Sequence, residues 1–226
     1  METNARRLAV ITDASSGLGL ELARQCAQHG YDLIIAADEV SILDAAEELA
    51  SGGVTVRPLQ CDLSTLEGVD ALRDAITACG KPADILIANA GREARGCTVD
   101  ERFLDARAYI DGTIHLIDQV SRSMRGRGHG RILITYSIAG LEQETSHPAH
   151  DSHKAFLNSF ATALCRELKH TAVTVACLMP GMNGSTLFDR GARSGYGATM
   201  KGELSVVRGF GNTLGLAPAI NAPGFP

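Results

Sequence analysis

Short apolar runs alternate with longer amphipathic stretches along most of the chain, and this alternation restricts the fold more than any other feature. Six runs rich in β-branched residues are predicted as strands buried on both faces: Leu8–Thr12, Asp32–Ala37, Val54–Leu59, Ile85–Ala88, Ile132–Thr135 and Val173–Leu178. Between them, apolar residues recur at helical spacing in Gly17–His29, Ser41–Ala50, Thr65–Cys79, Thr113–Arg125 and His153–His170. The pattern predicts repeated βαβ units, and therefore an α/β protein with a doubly wound parallel sheet.

The length of the chain fits one such unit. Its 226 residues suffice for a single domain with its own core, so we predict one domain over residues 1–226. The segment from Leu187 onward is glycine-rich, and we expect it to be irregular, with one strand at Leu204–Val207 and no amphipathic helix after Phe188.

Composition and charge exclude several classes of protein. A net charge of −5 offers no basic footprint for nucleic acid or an anionic membrane, and the run from Arg122 to Arg131 is interpreted as a solvated helix end. The six cysteines include no C-x-x-C pair, so neither a zinc site nor a disulfide framework is predicted. The apolar run near the N-terminus is too short for a signal peptide or a membrane span, so we expect a cytoplasmic protein.

The first predicted strand leads into a glycine-bearing turn and then a helix. This order places backbone N–H groups and a helix N-terminus where a pyrophosphate is held in dinucleotide-binding sheets of the Rossmann type. The predicted cofactor-binding residues of this turn are Thr12, Asp13, Ser15, Ser16, Gly17, Leu18 and Gly19. The alternative is a turn with a structural role only.

Asp38 follows the second predicted strand, 19 residues after Gly19. A carboxylate at this spacing is typical of an adenosine ribose contact, and it would repel a 2′-phosphate. We therefore expect NAD(H) to be favoured over NADP(H). The alternative is that Asp38 and Glu39 only cap the next helix.

Three segments in order resemble the short-chain dehydrogenase/reductase family. ITDASSGLG is similar to its T-G-x-x-x-G-x-G loop, Cys61-Asp62-Leu63 to its adenine-contacting D-[VL], and Ala88-Asn89-Ala90-Gly91 to its N-N-A-G. GRILITYSIAG, HDSHKAF and LMPGMNGST resemble its serine strand, its Y-x-x-x-K helix and its P-G-x-x-x-T loop. The resemblance covers about residues 6 to 190. It implies further cofactor contacts at Asp62, Leu63, Asn89, Ala90, Gly91, Lys154, Pro180 and Gly181.

The resemblance also implies a catalytic set, which this chain keeps only in part. The family's serine and lysine correspond to Ser137 and Lys154. His150 stands at the tyrosine position, four residues before the lysine, and Tyr109 at the asparagine position, three before Gly112. Tyr109 could return a phenol to the pocket, but a packed core tyrosine is the favoured interpretation.

The replacement at His150 changes the chemistry that the site would perform. A neighbouring ammonium pushes the imidazole pKa below its usual value near 6.5, so the ring is expected to be neutral at pH 7. A neutral imidazole accepts a proton from an alcohol but donates poorly to a carbonyl, which favours oxidation at higher pH. The alternative is that His150 occupies a decayed site without a catalytic role.

Three other features bear on function. Asp13 replaces the first glycine of the phosphate loop, and its carboxylate would weaken cofactor binding unless a left-handed backbone turns it outward. The run of His147, His150 and His153 resembles metal-ligand spacing, but Pro148 interrupts it and begins the helix, so no metal site is predicted. The C-terminal part is shorter than the family's substrate lid, which puts substrate capture in doubt.

Two functions therefore remain open. The first is an oxidoreductase that transfers hydride between nicotinamide and a small alcohol or carbonyl, with impaired activity. The second is a pseudoenzyme that acts through a protein partner. The resemblance also implies a homo-oligomer, dimer or tetramer, formed through the helices Thr113–Arg125 and His153–Lys169.

Overall fold

A computed structural model describes residues 6–89, 98–135, 148–179, 185–202 and 206–208. Seven parallel strands form one sheet in the order β3-β2-β1-β4-β5-β6-β7. They are β1 Leu8–Thr12, β2 Asp32–Ala37, β3 Val56–Gln60, β4 Ala83–Asn89, β5 Gly130–Thr135, β6 Val173–Met179 and β7 Val206–Arg208. Because the order reverses between β1 and β4, the predicted doubly wound sheet is confirmed, with its switch point there.

In the described part of the chain, six helices cover the two faces of this sheet. They are α1 Gly17–Gln28, α2 Ile42–Ala50, α3 Leu66–Ala78, α4 Val99–Arg127, α5 Pro148–Leu168 and α6 Ser185–Lys201. One core contains apolar side chains of α1, α2 and α6, and the other contains those of α3, α4 and α5. The central strands contribute to both cores, since Val10 belongs to one and Ile11 to the other.

The outer strand β3 departs from the prediction in two ways. It begins at Val56, not Val54, and its five residues are half-buried or exposed and none is buried. The prediction of burial on both faces is wrong here because β3 is at the sheet edge and pairs only with β2. Pro58, which donates no backbone hydrogen bond, is tolerated at such an edge.

Two helices begin earlier than the apolar spacing predicted. α4 begins at Val99 and not at Thr113, behind a capping box in which Thr98 accepts from the amide of Glu101, whose carboxylate accepts from the Thr98 amide. The first half of α4 is rich in charged residues, which hides its periodicity. α5 begins at Pro148, where the sequence places a helix start because proline suits the first turn.

The C-terminal prediction needs the largest correction. The segment expected to be irregular contains α6, a helix of 17 residues that packs on α1 and on the sheet. Its glycines serve close packing instead of breaking the helix: a Cβ on Gly195 would lie 2.7 Å from Cδ2 of Leu178. The short strand β7 begins at Val206, two residues after the predicted start.

No helix among the described residues is both long enough and apolar enough to cross a bilayer.

Candidate cofactor and active site

The turn between β1 and α1 brings the backbone unusually close to the helix. A Cβ on Gly19 would lie 2.0 Å from the carbonyl oxygen of Asp13, so only glycine fits at this position. Asp13 itself has a φ of 51°, the left-handed conformation expected for an aspartate in place of the family's glycine. The loop therefore keeps a backbone shape suited to glycine even where the side chain is a carboxylate.

The N-terminus of α1 is suited to an anion. Its N-cap residue Ser16 is extended and its side chain makes no capping hydrogen bond, and the first turn of α1 contains no acidic residue. In contrast, α2, α3 and α4 each carry an acidic side chain in their first turn. The positive end of the α1 dipole is thus left for a negatively charged group.

Asn89, the last residue of β4, connects the elements around the switch point. Its amide N–H donates to Thr12 Oγ1 at 3.0 Å, and its Nδ2 donates to the carbonyl and the Oδ2 of Asp13 at 3.3 and 3.4 Å. Its Oδ1 accepts from the hydroxyl of Thr135 on β5 at 2.5 Å. Asn89 is buried, so this network fixes the phosphate loop against two central strands.

Negatively charged side chains lie beside the phosphate loop. Asp38 follows directly on β2, and Asp13, Asp38, Cys61 and Tyr109 line one small cavity. Burial, with the charges of Asp62 and Asp38, raises the pKa of the Cys61 thiol to about 11. Burial is the larger cause of this shift, and the two carboxylates add to it.

Ser15 was predicted as a phosphate donor, and its hydroxyl has a protein partner. It donates to Oε2 of Glu39 at 3.1 Å, which ties the phosphate loop to the residue after Asp38. The Ser15–Glu39 bond was not foreseen, and neither was the contact of Thr135 with Asn89. A polar residue at the end of a buried strand is the signal that could have identified Thr135.

Asp62 and Leu63, the predicted adenine contacts, follow β3. Oδ1 of Asp62 accepts from the amide of Ser64 at 2.8 Å, and Leu63 is buried in the core. The amide of Cys61 donates to the carbonyl of Ala37 at 2.8 Å, so this turn lies beside Asp38. The structure therefore brings the predicted adenine and ribose positions together.

The structure describes some of the predicted catalytic residues and cofactor contacts and not others. Ala90, Gly91, Ser137, Pro180 and Gly181 lie outside the described residues. β5 ends two residues before Ser137, and β6 ends immediately before Pro180. The positions of His150 and Lys154 belong to α5, and their side chains lie outside the described part.

Tyr109 lies in the first half of α4 and is buried in the core. Its hydroxyl donates to the carbonyl of Asn89 at 3.4 Å. The ring therefore lies beneath the end of β4, against the cavity that also contains Asp13 and Asp38.

Comparison with known proteins decides the family. The family described as short chain dehydrogenase matches residues 7–195. The chain belongs to this family. It is 32% identical over 193 residues to the Escherichia coli K12 oxidoreductase YohF, a match that covers 79% of this chain and 75% of that protein.

Two solved structures are similar to this one. L-sorbose reductase from Gluconobacter frateurii, in complex with NADPH and L-sorbose, has a TM-score of 0.72 at 31% identity, covering 78% of this chain and 70% of that one. A variant of actinorhodin polyketide ketoreductase with NADPH has a TM-score of 0.74 at 30% identity, covering 87% and 77%. Family membership supports an oxidoreductase with a nicotinamide dinucleotide cofactor.

The described residues fit such a cofactor. The α1 N-terminus and the close approach at Gly19 suit a pyrophosphate, and Asp38 follows β2 beside the phosphate loop. Asp13 is the exception, because its carboxylate adds negative charge next to the phosphate position.

Proposed function

We propose that this protein is an NAD(H)-linked oxidoreductase that acts on a small alcohol or carbonyl and is impaired by the replacements at His150, Tyr109 and Asp13. The observation that carries the proposal is the N-terminus of α1, which has no acidic residue or side-chain cap and lies at the switch point of the sheet. A helix end in that setting is the anion site of dinucleotide-binding sheets.

The cofactor is held by residues around this helix end. Backbone amides near Gly17, Leu18 and Gly19 bind the pyrophosphate, and Asp38 accepts hydrogen bonds from the adenosine ribose. Asp62 and Leu63 contact the adenine, and Asn89, Ala90, Gly91, Pro180 and Gly181 complete the site on the nicotinamide side.

The preference for NAD(H) follows from the charges beside the ribose position. Asp38 and Glu39 are adjacent, and Asp13 and Asp38 line the same small cavity. A 2′-phosphate would bring about two further negative charges to this point. The two similar structures above hold NADPH, so this preference distinguishes the chain from them.

Catalysis is assigned to Ser137, His150 and Lys154, with Tyr109 as a buried positioning residue. The positions of His150 and Lys154 are four residues apart on α5, a rise of about 6 Å. When bound, the nicotinamide supplies the hydride acceptor. Neutral His150 removes the alcohol proton, Ser137 orients the substrate oxygen, and Lys154 holds the ribose. Because neutral His150 accepts a proton more readily than it donates one, carbonyl reduction is the weaker direction.

Turnover as a function of pH tests this assignment. With NAD⁺ and a panel of small alcohols, the rate should rise from about pH 5 to about pH 7 and then level off, because the base must be neutral and the neighbouring ammonium of Lys154 favours its neutral form. Lys154→Ala should abolish turnover, whereas His150→Tyr should increase carbonyl reduction by restoring a phenol beside Lys154. Turnover that survives Lys154→Ala would contradict the catalytic role of Lys154.

A second function is favoured by one specific observation. Asp13 Oδ2 accepts from Nδ2 of Asn89 at 3.4 Å, so its carboxylate is held beside the end of β4 next to the phosphate loop. A protein in which this charge excludes the cofactor would act as a scaffold through a protein partner. Its signature is the absence of nucleotide binding together with a stable complex. A homo-oligomer formed through α4 and α5 is compatible with either function.

A further inference from the structure

A cavity of about 610 Å³ opens at the amino edge of the sheet, between the end of α3 and the last turns of α4. It lies where β4 begins at Ala83, whereas the cofactor site lies where β4 ends at Asn89. Six residue steps at about 3.3 Å separate the two by roughly 20 Å. The cavity is therefore distinct from the proposed cofactor site, and its volume is within the range of small-molecule sites.

The lining of this cavity combines an apolar floor with a cationic rim. Ile76, Leu116 and Val120 provide apolar surface, and Leu116 and Val120 belong to the core. Among the described residues, four cationic side chains and no acidic one line the cavity; the cations are Arg73, Lys81, Arg122 and Arg127. Such a lining is complementary to a ligand that has an apolar body and a negative charge.

The four cations are not equally available. Arg73, Lys81 and Arg122 each form ion pairs with carboxylates outside the lining, such as Arg122 with Asp118 at 2.9 Å. Arg127 instead donates to the carbonyl of Ala83 at 2.5 Å and to the hydroxyl of Ser123 at 3.0 Å. Among the described residues Arg127 has no carboxylate partner, so its positive charge is left for a ligand.

One buried atom of an amide side chain lies at the same place. One end of the Gln119 side chain lies 2.7 Å from Nε2 of His115. Its other end, Oε1, is buried and has no hydrogen-bond partner among the described residues. Exchanging the amide oxygen and nitrogen still leaves one end without a partner. A buried amide end without a partner is rare in proteins. Gln119 lines the cavity, and in the exchanged assignment its buried end is the nitrogen, which donates to an anionic ligand group while the oxygen accepts from Nε2–H of His115.

We propose that this cavity binds a small amphiphilic anion. Its apolar chain or ring contacts Ile76, Leu116 and Val120, and its carboxylate or phosphate lies against Arg127 and Arg122, within reach of the Gln119 amide. The proposal is independent of the cofactor site, because the two lie at opposite edges of the sheet.

Calorimetric titration of the full chain with decanoate tests the proposal, with decan-1-ol and decyltrimethylammonium as neutral and cationic controls. Decanoate should bind saturably at one site, and the two controls at least about tenfold more weakly. Equal binding of the three compounds would mean adventitious apolar contact and would overturn the proposal.

Two variants locate the binding. Arg122→Glu should weaken decanoate binding by about tenfold or more, and Ser123→Phe, which fills the cavity, should abolish it. Arg193→Glu is the matched control, because Arg193 is also exposed and paired with an aspartate four residues earlier at 2.9 Å. It should change the affinity by less than about twofold.

Three results would contradict the site. The first is binding unchanged in Arg122→Glu and Ser123→Phe with both variants folded by circular dichroism. The second is displacement of decanoate by NADH, which would place the acid in the cofactor site. The third is a dimer that Ser123→Phe dissociates, which would show that a second copy of the chain covers the cavity.

Discussion

At the scale of single residues, Asp13 and Asn89 determine how well the phosphate loop can work. Asn89 holds the loop through Thr12 and Asp13, and it is itself held by Thr135. Asp13 keeps the left-handed backbone of a glycine but adds a carboxylate bonded to Asn89. The loop is therefore well positioned and carries a charge of the wrong sign for a pyrophosphate.

Replacing Asp13 separates these two effects. Asp13→Gly should increase NADH affinity by about tenfold, about 1.4 kcal/mol, because a negative charge next to the pyrophosphate is removed. Asp13→Asn is the matched control, since it keeps the hydrogen-bond acceptor for Asn89 and tolerates the left-handed backbone. Fluorescence titration should show nearly the same gain for both. A gain in Asp13→Gly alone would assign the effect to backbone strain instead.

Asp32 gives a prediction for acid stability. Burial acts to raise the pKa of its carboxyl, but hydrogen bonds from Lys81 and from the Thr55 amide, with Coulombic attraction to Lys81 and Arg6, outweigh burial and lower the pKa. A lowered folded-state pKa means that the stabilisation is present above the unfolded-state value, near 3.9, and is lost as the pH falls through the folded-state value.

Asp32→Asn should therefore lower the free energy of unfolding by about 1–3 kcal/mol at neutral pH, and the difference should shrink below about pH 4. Urea unfolding at several pH values measures this. Asp70→Asn serves as the control, because Asp70 pairs with Arg73 at the exposed surface, where an ion pair stabilises by less than about 1 kcal/mol. If the loss in free energy of unfolding caused by Asp32→Asn stays the same below about pH 4, the link between the lowered pKa and stability is contradicted.

At the scale of helices and strands, the sequence predicts the interior better than the edges. β1 and β2 are predicted with their observed limits because they are continuous apolar runs buried on both faces. The start of α4 is missed because its first turns are mostly polar and depend on the capping box at Thr98. α6 is missed because local glycine content does not reveal that a helix packs closely on α1 and the sheet.

Two glycines of α6 test this explanation within one helix. Gly195→Ala should destabilise the protein by about 1–3 kcal/mol, because its Cβ would lie 2.7 Å from Cδ2 of Leu178. Gly197→Ala should stabilise it by about 0.5–1 kcal/mol, since no atom lies within 4 Å of its Cβ and alanine favours a helix. Thermal unfolding compares the two. Stabilisation by both substitutions would contradict close packing at Gly195.

The cofactor site was predicted unevenly for a similar reason. The phosphate loop and Asp38 are local in sequence, so their spacing after a strand identifies them. The bonds of Ser15 with Glu39 and of Thr135 with Asn89 join residues 24 and 46 positions apart, and they depend on the order of the strands. Spacing along the chain contains no information about such contacts until the sheet is known.

At the scale of the whole molecule, the two edges of the sheet carry sites with different side chains. Its carboxyl edge carries the helix end and carboxylates of the cofactor site, and its amino edge carries the cation-lined cavity beside β4. The chain as a whole is acidic, with a net charge of −5. We infer that the carboxyl edge binds a dinucleotide and that its acidic residues favour NADH.

Parallel titration with NADH and NADPH, followed by nicotinamide fluorescence, tests this claim most directly. We expect saturable NADH binding, NADPH at least about tenfold weaker, and a smaller gap in Asp38→Asn. Asp44→Asn, an acidic residue in the first turn of α2, should leave the gap unchanged. Equal or tighter binding of NADPH would contradict the assigned preference, and no binding of either nucleotide at about millimolar concentration would contradict the cofactor site itself.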